Sequence, residues 1–149
     1  MSITATNNNP VLISVDTTAT TDARTDNVNP ATAVTRAWRY NDGIEATVLA
    51  GASVTDYGLE FETQGGNVLT VTVQATATID QTLLPAATTR TDALSLIGSG
   101  GAVTYTGNGT VTSTVSSGVV LTQTQAGPGD LTANVNADIF TSANGRLAP

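Results

Sequence analysis

The feature that most limits what this chain can fold into is the strict alternation of Leu69-Thr70-Val71-Thr72-Val73-Gln74-Ala75-Thr76-Ala77-Thr78-Ile79. One side of the run is Leu, Val, Val, Ala, Ala and Ile, and the other is Thr and Gln. A period of two suits a strand with one covered and one exposed face and leaves no apolar stripe for a helix to bury. Leu131 to Ile139 repeats the pattern, with an apolar residue at every odd position. Between these runs, Ala102-Val103-Thr104-Tyr105-Thr106 and Thr110-Val111-Thr112-Ser113-Thr114-Val115 flank Gly107-Asn108-Gly109, which reads as a hairpin tip because glycine and asparagine tolerate positive φ. Val119 to Gln125 follows Ser116-Ser117-Gly118, and Gly127-Pro128-Gly129-Asp130 turns the chain into the last run. The second half is expected to be a meander of four strands.

Upstream, Val11-Leu12-Ile13-Ser14-Val15, Val34 to Tyr40, Ile44 to Leu49 and Ser53 to Glu62 are further candidate strands. Turns are expected at Asn41-Asp42-Gly43, Ala50-Gly51 and Gln64-Gly65-Gly66-Asn67. Asp16 to Thr32 is polar and aperiodic and reads as a long loop. Pro85 to Ile97 reads as a short helix or a covering loop, closed by Gly98-Ser99-Gly100-Gly101. The fold expected from these segments is all-β: an antiparallel sandwich or jelly roll, or a small barrel, of about eight strands. Residues 1–10 form an extended N-terminal arm and residues 11–149 a single β domain.

Such a sandwich has edge strands, which proteins usually blunt with lysine, proline, bulges or covering loops. This chain of 149 residues has no lysine, and its best strand run carries no charge. Closure into a barrel, or pairing with another subunit's strand or arm, would satisfy the edges instead. Threonine makes up 29 of the 149 residues; its high β propensity and short hydroxyl suit sheets that pack in an assembly.

Composition narrows function further. Without histidine, cysteine or lysine the chain has no imidazole base, thiolate, Schiff-base amine or disulfide. The expectation is a protein that is not an enzyme and uses no cofactor and no metal. Charged residues are 11% of the chain, against about 25% in ordinary soluble proteins, which suits a surface largely covered by neighbours. A net charge of −7 with five arginines gives no basic stripe for nucleic acid and no attraction to an anionic membrane. Residues 1–10 lack a basic and an apolar region, so no secretory signal is expected, and no apolar run of about 18 residues is present.

Few residues stand out as sites. Arg36, Trp38, Arg39 and Tyr40 combine the residue types that dominate interfaces and are the candidate interface; the alternative is that Trp38 and Tyr40 anchor the core while the arginines pair with acids. Asp16, Asp22, Asp26 and Asp42 fit no calcium-loop spacing and read as solvated or capping residues. Glu60 and Glu62 share a strand face, whereas glycosidase carboxylates sit across a cleft, so they read as non-catalytic. Asn108-Gly109-Thr110 matches a glycosylation acceptor but is better explained as a turn. The Thr-x-Thr spacings at Thr70/Thr72, Thr76/Thr78, Thr104/Thr106 and Thr110/Thr112/Thr114 are similar to the flat threonine ladders of ice-binding solenoids, but those recur at a fixed coil length and no such period is visible here.

In its size, low charge and Thr/Ala/Val-rich β content the whole chain resembles the decoration (cement) proteins and minor structural proteins of tailed-phage virions. The resemblance implies a structural virion protein, made in the host cytoplasm and placed on the outer capsid surface. There it would form trimers or larger oligomers with copies of itself and clamp the major capsid protein or another virion protein, stabilising the lattice by mass action. Alternatives are a tail, fibre or filament subunit, or a carbohydrate- or surface-binding adhesin module with an exposed aromatic platform.

Overall fold

The structure is a computed structural model that describes residues 2–4, 11–15, 36–40, 43–56, 58–82 and 92–141, with the backbone alone for 2–4, 11–15, 36–40, 56 and 141. Strands β4 (Ile44–Val48), β5 (Ser53–Asp56) and β6 (Leu59–Thr63) make one coil, and β7 (Leu69–Val73), β8 (Thr78–Gln81) and β9 (Leu94–Gly98) the next. A third consists of β10 (Val103–Gly107), β11 (Thr110–Ser113) and β12 (Val119–Gln123). Strands β2 (Val11–Val15) and β3 (Arg36–Tyr40) precede these coils, and β13 (Leu131–Val135) and β14 (Ile139–Thr141) follow them. Each strand pairs in parallel with its counterpart one coil away, so three sheets run along the stack: β2-β4-β7-β10-β13, β5-β8-β11-β14 and β3-β6-β9-β12. β1 (Ser2–Thr4) lies antiparallel on β2 at the outer edge of the first sheet.

The chain is therefore a parallel β-solenoid of about three turns, and the expected antiparallel sandwich, jelly roll or barrel is wrong. Gly107-Asn108-Gly109 is not a hairpin tip. It is a corner between two sheets, where β10 pairs with β7 and β13 while β11 pairs with β8 and β14. The Leu69–Ile79 run breaks at Gln74–Ala77 into β7 and β8, with Ala75 exposed at the bend, and Leu131–Ile139 breaks in the same way. Ser53 to Glu62, read as one strand, is β5 and β6. Part of the expected helix or loop over Pro85–Ile97 is strand β9, buried on both faces. Residues 2–4 of the expected arm pair with their own chain's β2. The loop expected over Asp16–Thr32 lies outside the described residues.

The stack is stable in register because like side chains lie over like inside it. Ile44, Leu69, Val103 and Leu131 form one column, and Val54, Ile79, Val111 and Ile139 another. Leu59 lies over Leu94, and Phe61 over Leu96. In the described coils these inward positions are almost fully shielded from water, apart from those of the last one. A shift of one residue would turn every apolar side chain outward, so burial fixes the register. Corners are tied coil to coil by backbone bonds: the amides of Gln74, Asn108 and Asn136 donate to the carbonyls of Val48, Val73 and Gly107 at 2.9, 2.8 and 2.8 Å.

Two local departures from this order lead to predictions. At the corner where β4–β5 has Gly51 (φ 78), β7–β8 has Thr76 (φ 66), exposed and β-branched in the left-handed region. That conformation costs an L-residue roughly 1–2 kcal/mol, of which glycine's greater unfolded-chain entropy would offset about 0.5–1 kcal/mol. Thr76→Gly is thus expected to raise unfolding stability by about 0.5–1 kcal/mol in urea titration; a loss would mean that the threonine makes a contact worth more than its strain.

The second departure is Tyr105, fully buried among Val and Leu, whose hydroxyl has no hydrogen-bond partner among the described residues. Burial pushes the phenol from its ordinary 10.0 up to about 12. A raised phenol means that the folded chain holds its proton where the unfolded chain has lost it. The stabilisation is complete below pH 10 and disappears as pH rises from 10 to about 12; two units correspond to about 2–3 kcal/mol. Tyr105→Phe removes an unsatisfied buried hydroxyl and should stabilise the protein by about 1 kcal/mol at neutral pH. Its stability should also fall less steeply above pH 10 than that of the parent chain, as urea titrations of both at neutral and alkaline pH will show.

Candidate functional site

The outward face of the first sheet is the most regular chemical surface of the molecule. Inward residues of β4, β7 and β10 are buried, so the residues between them face out. Register aligns Glu45, Thr70, Thr104 and Thr132 in one row and Thr47, Thr72, Thr106 and Asn134 in the next. Six of these eight positions are threonine. Rows of neighbouring strands are about 4.8 Å apart and successive outward residues along a strand about 6.6 Å apart. Among the described residues, none of the six threonine hydroxyls is hydrogen-bonded to a protein group.

The rows survive although the coils differ in length. From Ile44 to its register partner Leu69 is 25 residues, from Leu69 to Val103 is 34, and from Val103 to Leu131 is 28. The differences fall between strands: two residues join β5 to β6, twelve join β8 to β9 and five join β11 to β12. The missing fixed period, which counted against a ladder, therefore does not prevent one. The Thr-x-Thr pairs at Thr70/Thr72 and Thr104/Thr106 belong to it, whereas Thr78, Thr110 and Thr112 lie on strands of the second sheet and Thr76 at a corner. Thr47 and Thr132 were missed because each has a non-threonine partner on its strand. Alignment on the preceding apolar columns would have found them.

A second distinct region is the end of the stack at β13 and β14, the last strands of their sheets among the described residues. Leu131 and Val135, inward in register, are 47% and 51% exposed, and Phe140 is 54% exposed.

Arg36, Trp38, Arg39 and Tyr40 all lie on β3, the strand at the opposite edge of the third sheet. Register puts Trp38 opposite Phe61 and Arg39 opposite Glu62. Glu60 and Glu62 are half-buried on the outward side of β6, on one face as expected. Asn108 stacks at its corner, accepting through Oδ1 from Asn136 Nδ2 at 2.9 Å. Asp16, Asp22, Asp26 and Asp42 lie outside the described residues. Among those that are described, no three acidic side chains cluster as metal ligands, and no helix is long and apolar enough to cross a membrane. Asp92 has a structural part: its carboxylate accepts from Ser95 Oγ at 3.1 Å and from Ser116 Oγ at 3.4 Å, tying β9 to the β11–β12 turn. Compared with known proteins, the chain matches no protein family, no curated protein and no solved structure.

Proposed function

We propose that the chain is a non-enzymatic structural protein, a rigid solenoid segment of a large assembly such as a virion, where it acts as a tail, fibre or filament subunit. The observation that carries this reading is the end of the stack, where β13 is the last strand of its sheet among the described residues and Leu131 and Val135 stand half uncovered above the core. A strand added there gains backbone hydrogen bonds and covers apolar side chains. The decoration reading rested on size, low charge and composition, and its subunit contacts were expected at unsatisfied edges around a sandwich. A solenoid has edges only at the two ends of its axis, so contacts made through them are axial, and this favours an elongated assembly over a clamp on a capsid lattice. Partners of this kind are copies of the chain or another protein of the same particle.

The test is the solution mass of the purified chain by light scattering after size exclusion, at low and moderate salt, beside Leu131→Lys/Val135→Lys. Lysine at an exposed edge blocks strand addition. The reading expects open-ended association of the parent chain, rods in electron micrographs, and a monomer for the variant that circular dichroism shows to be folded. A parent chain that stays at 15.1 kDa at every concentration, or association that the variant leaves intact, overturns it.

A further inference from the structure

We propose that the outward face of the first sheet binds ice. The inference goes beyond the assembly reading and does not rest on it, because the face runs along the side of the stack and not at its end. Thr70, Thr104 and Thr132 in one row, and Thr47, Thr72 and Thr106 in the next, form a grid with two fixed spacings, about 4.8 Å across strands and about 6.6 Å along them. A ligand that uses such a grid must itself repeat in two dimensions, as the oxygen lattice of an ice face does.

Chemistry favours water over other repeating surfaces. A threonine hydroxyl offers one donor and two acceptor positions, so it can take the place of a lattice water. The branched β-carbon restricts χ1, and the paired strands fix the backbone, so the hydroxyls and methyls are held in place before binding and little freedom is lost. None of the six hydroxyls is engaged by a protein group among the described residues. The six threonines carry no charge, and Glu45 at one end is the only acidic or basic residue in the two rows from β4 to β13, which suits a neutral lattice and offers nothing to phosphates. The two rows also hold no aromatic ring between β4 and β13, whereas a face for crystalline polysaccharide would need rings on which sugars stack. Each threonine contributes weakly, and simultaneous engagement of many supplies the affinity.

The experiment uses the full chain. A single ice crystal is held just below its melting point in the protein solution, and growth habit and freezing temperature are recorded; in parallel, fluorescently labelled chain is offered to a growing ice surface. Thr72→Tyr and Thr104→Lys put bulk or charge in the middle of the grid, and Thr112→Tyr does the same on the second sheet as a control. Circular dichroism and melting temperature identify which variants are folded. The proposal expects faceted crystals, a freezing point below the melting point and uptake of label into ice. It expects most of that effect to be lost in whichever grid variant folds and kept in Thr112→Tyr. It is overturned if the parent chain leaves ice growth unaltered and is excluded from ice, if folded grid variants act like the parent, if the control loses the effect equally, or if the chain binds crystalline cellulose or chitin and not ice.

Discussion

Replacing Gly107 by Val is expected to cost about 3 kcal/mol of stability, although valine is what the register asks for. Gly107 lies in an inward column whose other members are Val48, Val73 and Val135. Its neighbour two residues back, Tyr105, sits in the column of Ala46, Val71 and Ala133 and is the largest side chain there. The ring leans along the strand over Gly107: a β-carbon at that position would stand 2.6 Å from Tyr105 Cζ and 2.8 Å from Cε1. The two positions thus share one volume, filled by tyrosine and glycine in this coil and by alanine and valine in the coil of β4 and at β13. Tyr105→Ala alone leaves that volume empty and should cost about 3–5 kcal/mol. The double variant Tyr105→Ala/Gly107→Val reproduces the alanine–valine pair, so its loss should fall well short of the sum, with a coupling of about 2–3 kcal/mol between contacting residues. Urea unfolding of the four chains measures it. Additive losses would contradict the shared volume.

The second large effect is expected at Gly101, where Gly101→Ala should cost about 3 kcal/mol or abolish folding. At the corner joining the third sheet to the first, successive coils approach backbone to backbone. A β-carbon on Gly101 would strike the carbonyl of Asn67 in the coil before and stand 2.6 Å from Gly66 O, both main-chain atoms that cannot swing aside. Gly127 and Gly129 meet Gly100 and Gly101 in the same way one coil later. Gln123 secures the contact, accepting from the Gly100 amide at 2.9 Å while its Nε2 donates to the Gly101 carbonyl. Loss of the corner should separate the coils rather than soften one side chain. Soluble yield and chemical unfolding will show this, and a Gly101→Ala chain with parental stability would mean that the corner is looser than drawn.

Particular residues show what the sequence could disclose. Alternation at Leu69, Val71 and Val73 named both the strand and its buried face, because period two depends only on one face being covered. It could not name the partner strand, since parallel and antiparallel pairing leave the same alternation on a single strand. Gly107 and Gly109 misled for a related reason. Glycine at a turn suggests positive φ, yet neither is among the positive-φ glycines of the described residues. Gly107 makes room for Tyr105, and Gly109 lies against the carbonyls of Gln74 and Ala77 in the coil below. Space, a long-range property, accounts for these glycines. Leu94-Ser95-Leu96-Ile97 hid strand β9 because burial on both faces erases alternation. The threonine grid was half visible as Thr-x-Thr pairs. It stayed unassembled because the unequal connections between strands conceal the repeat, and only pairing shows that Thr72 and Thr106 are neighbours.

The buried columns, the threonine grid and the axial ends all depend on the parallel register of the stack, and backbone NMR tests it most directly. Inter-strand nuclear Overhauser contacts in the isotope-labelled chain should join Val71 and Thr72 of β7 to Tyr105 and Thr106 of β10, and join those in turn to Ala133 and Asn134 of β13. Contacts across a Gly107-Asn108-Gly109 hairpin, with Thr106 facing Thr110 on an antiparallel strand, would contradict the solenoid and with it the threonine grid and the axial mode of assembly.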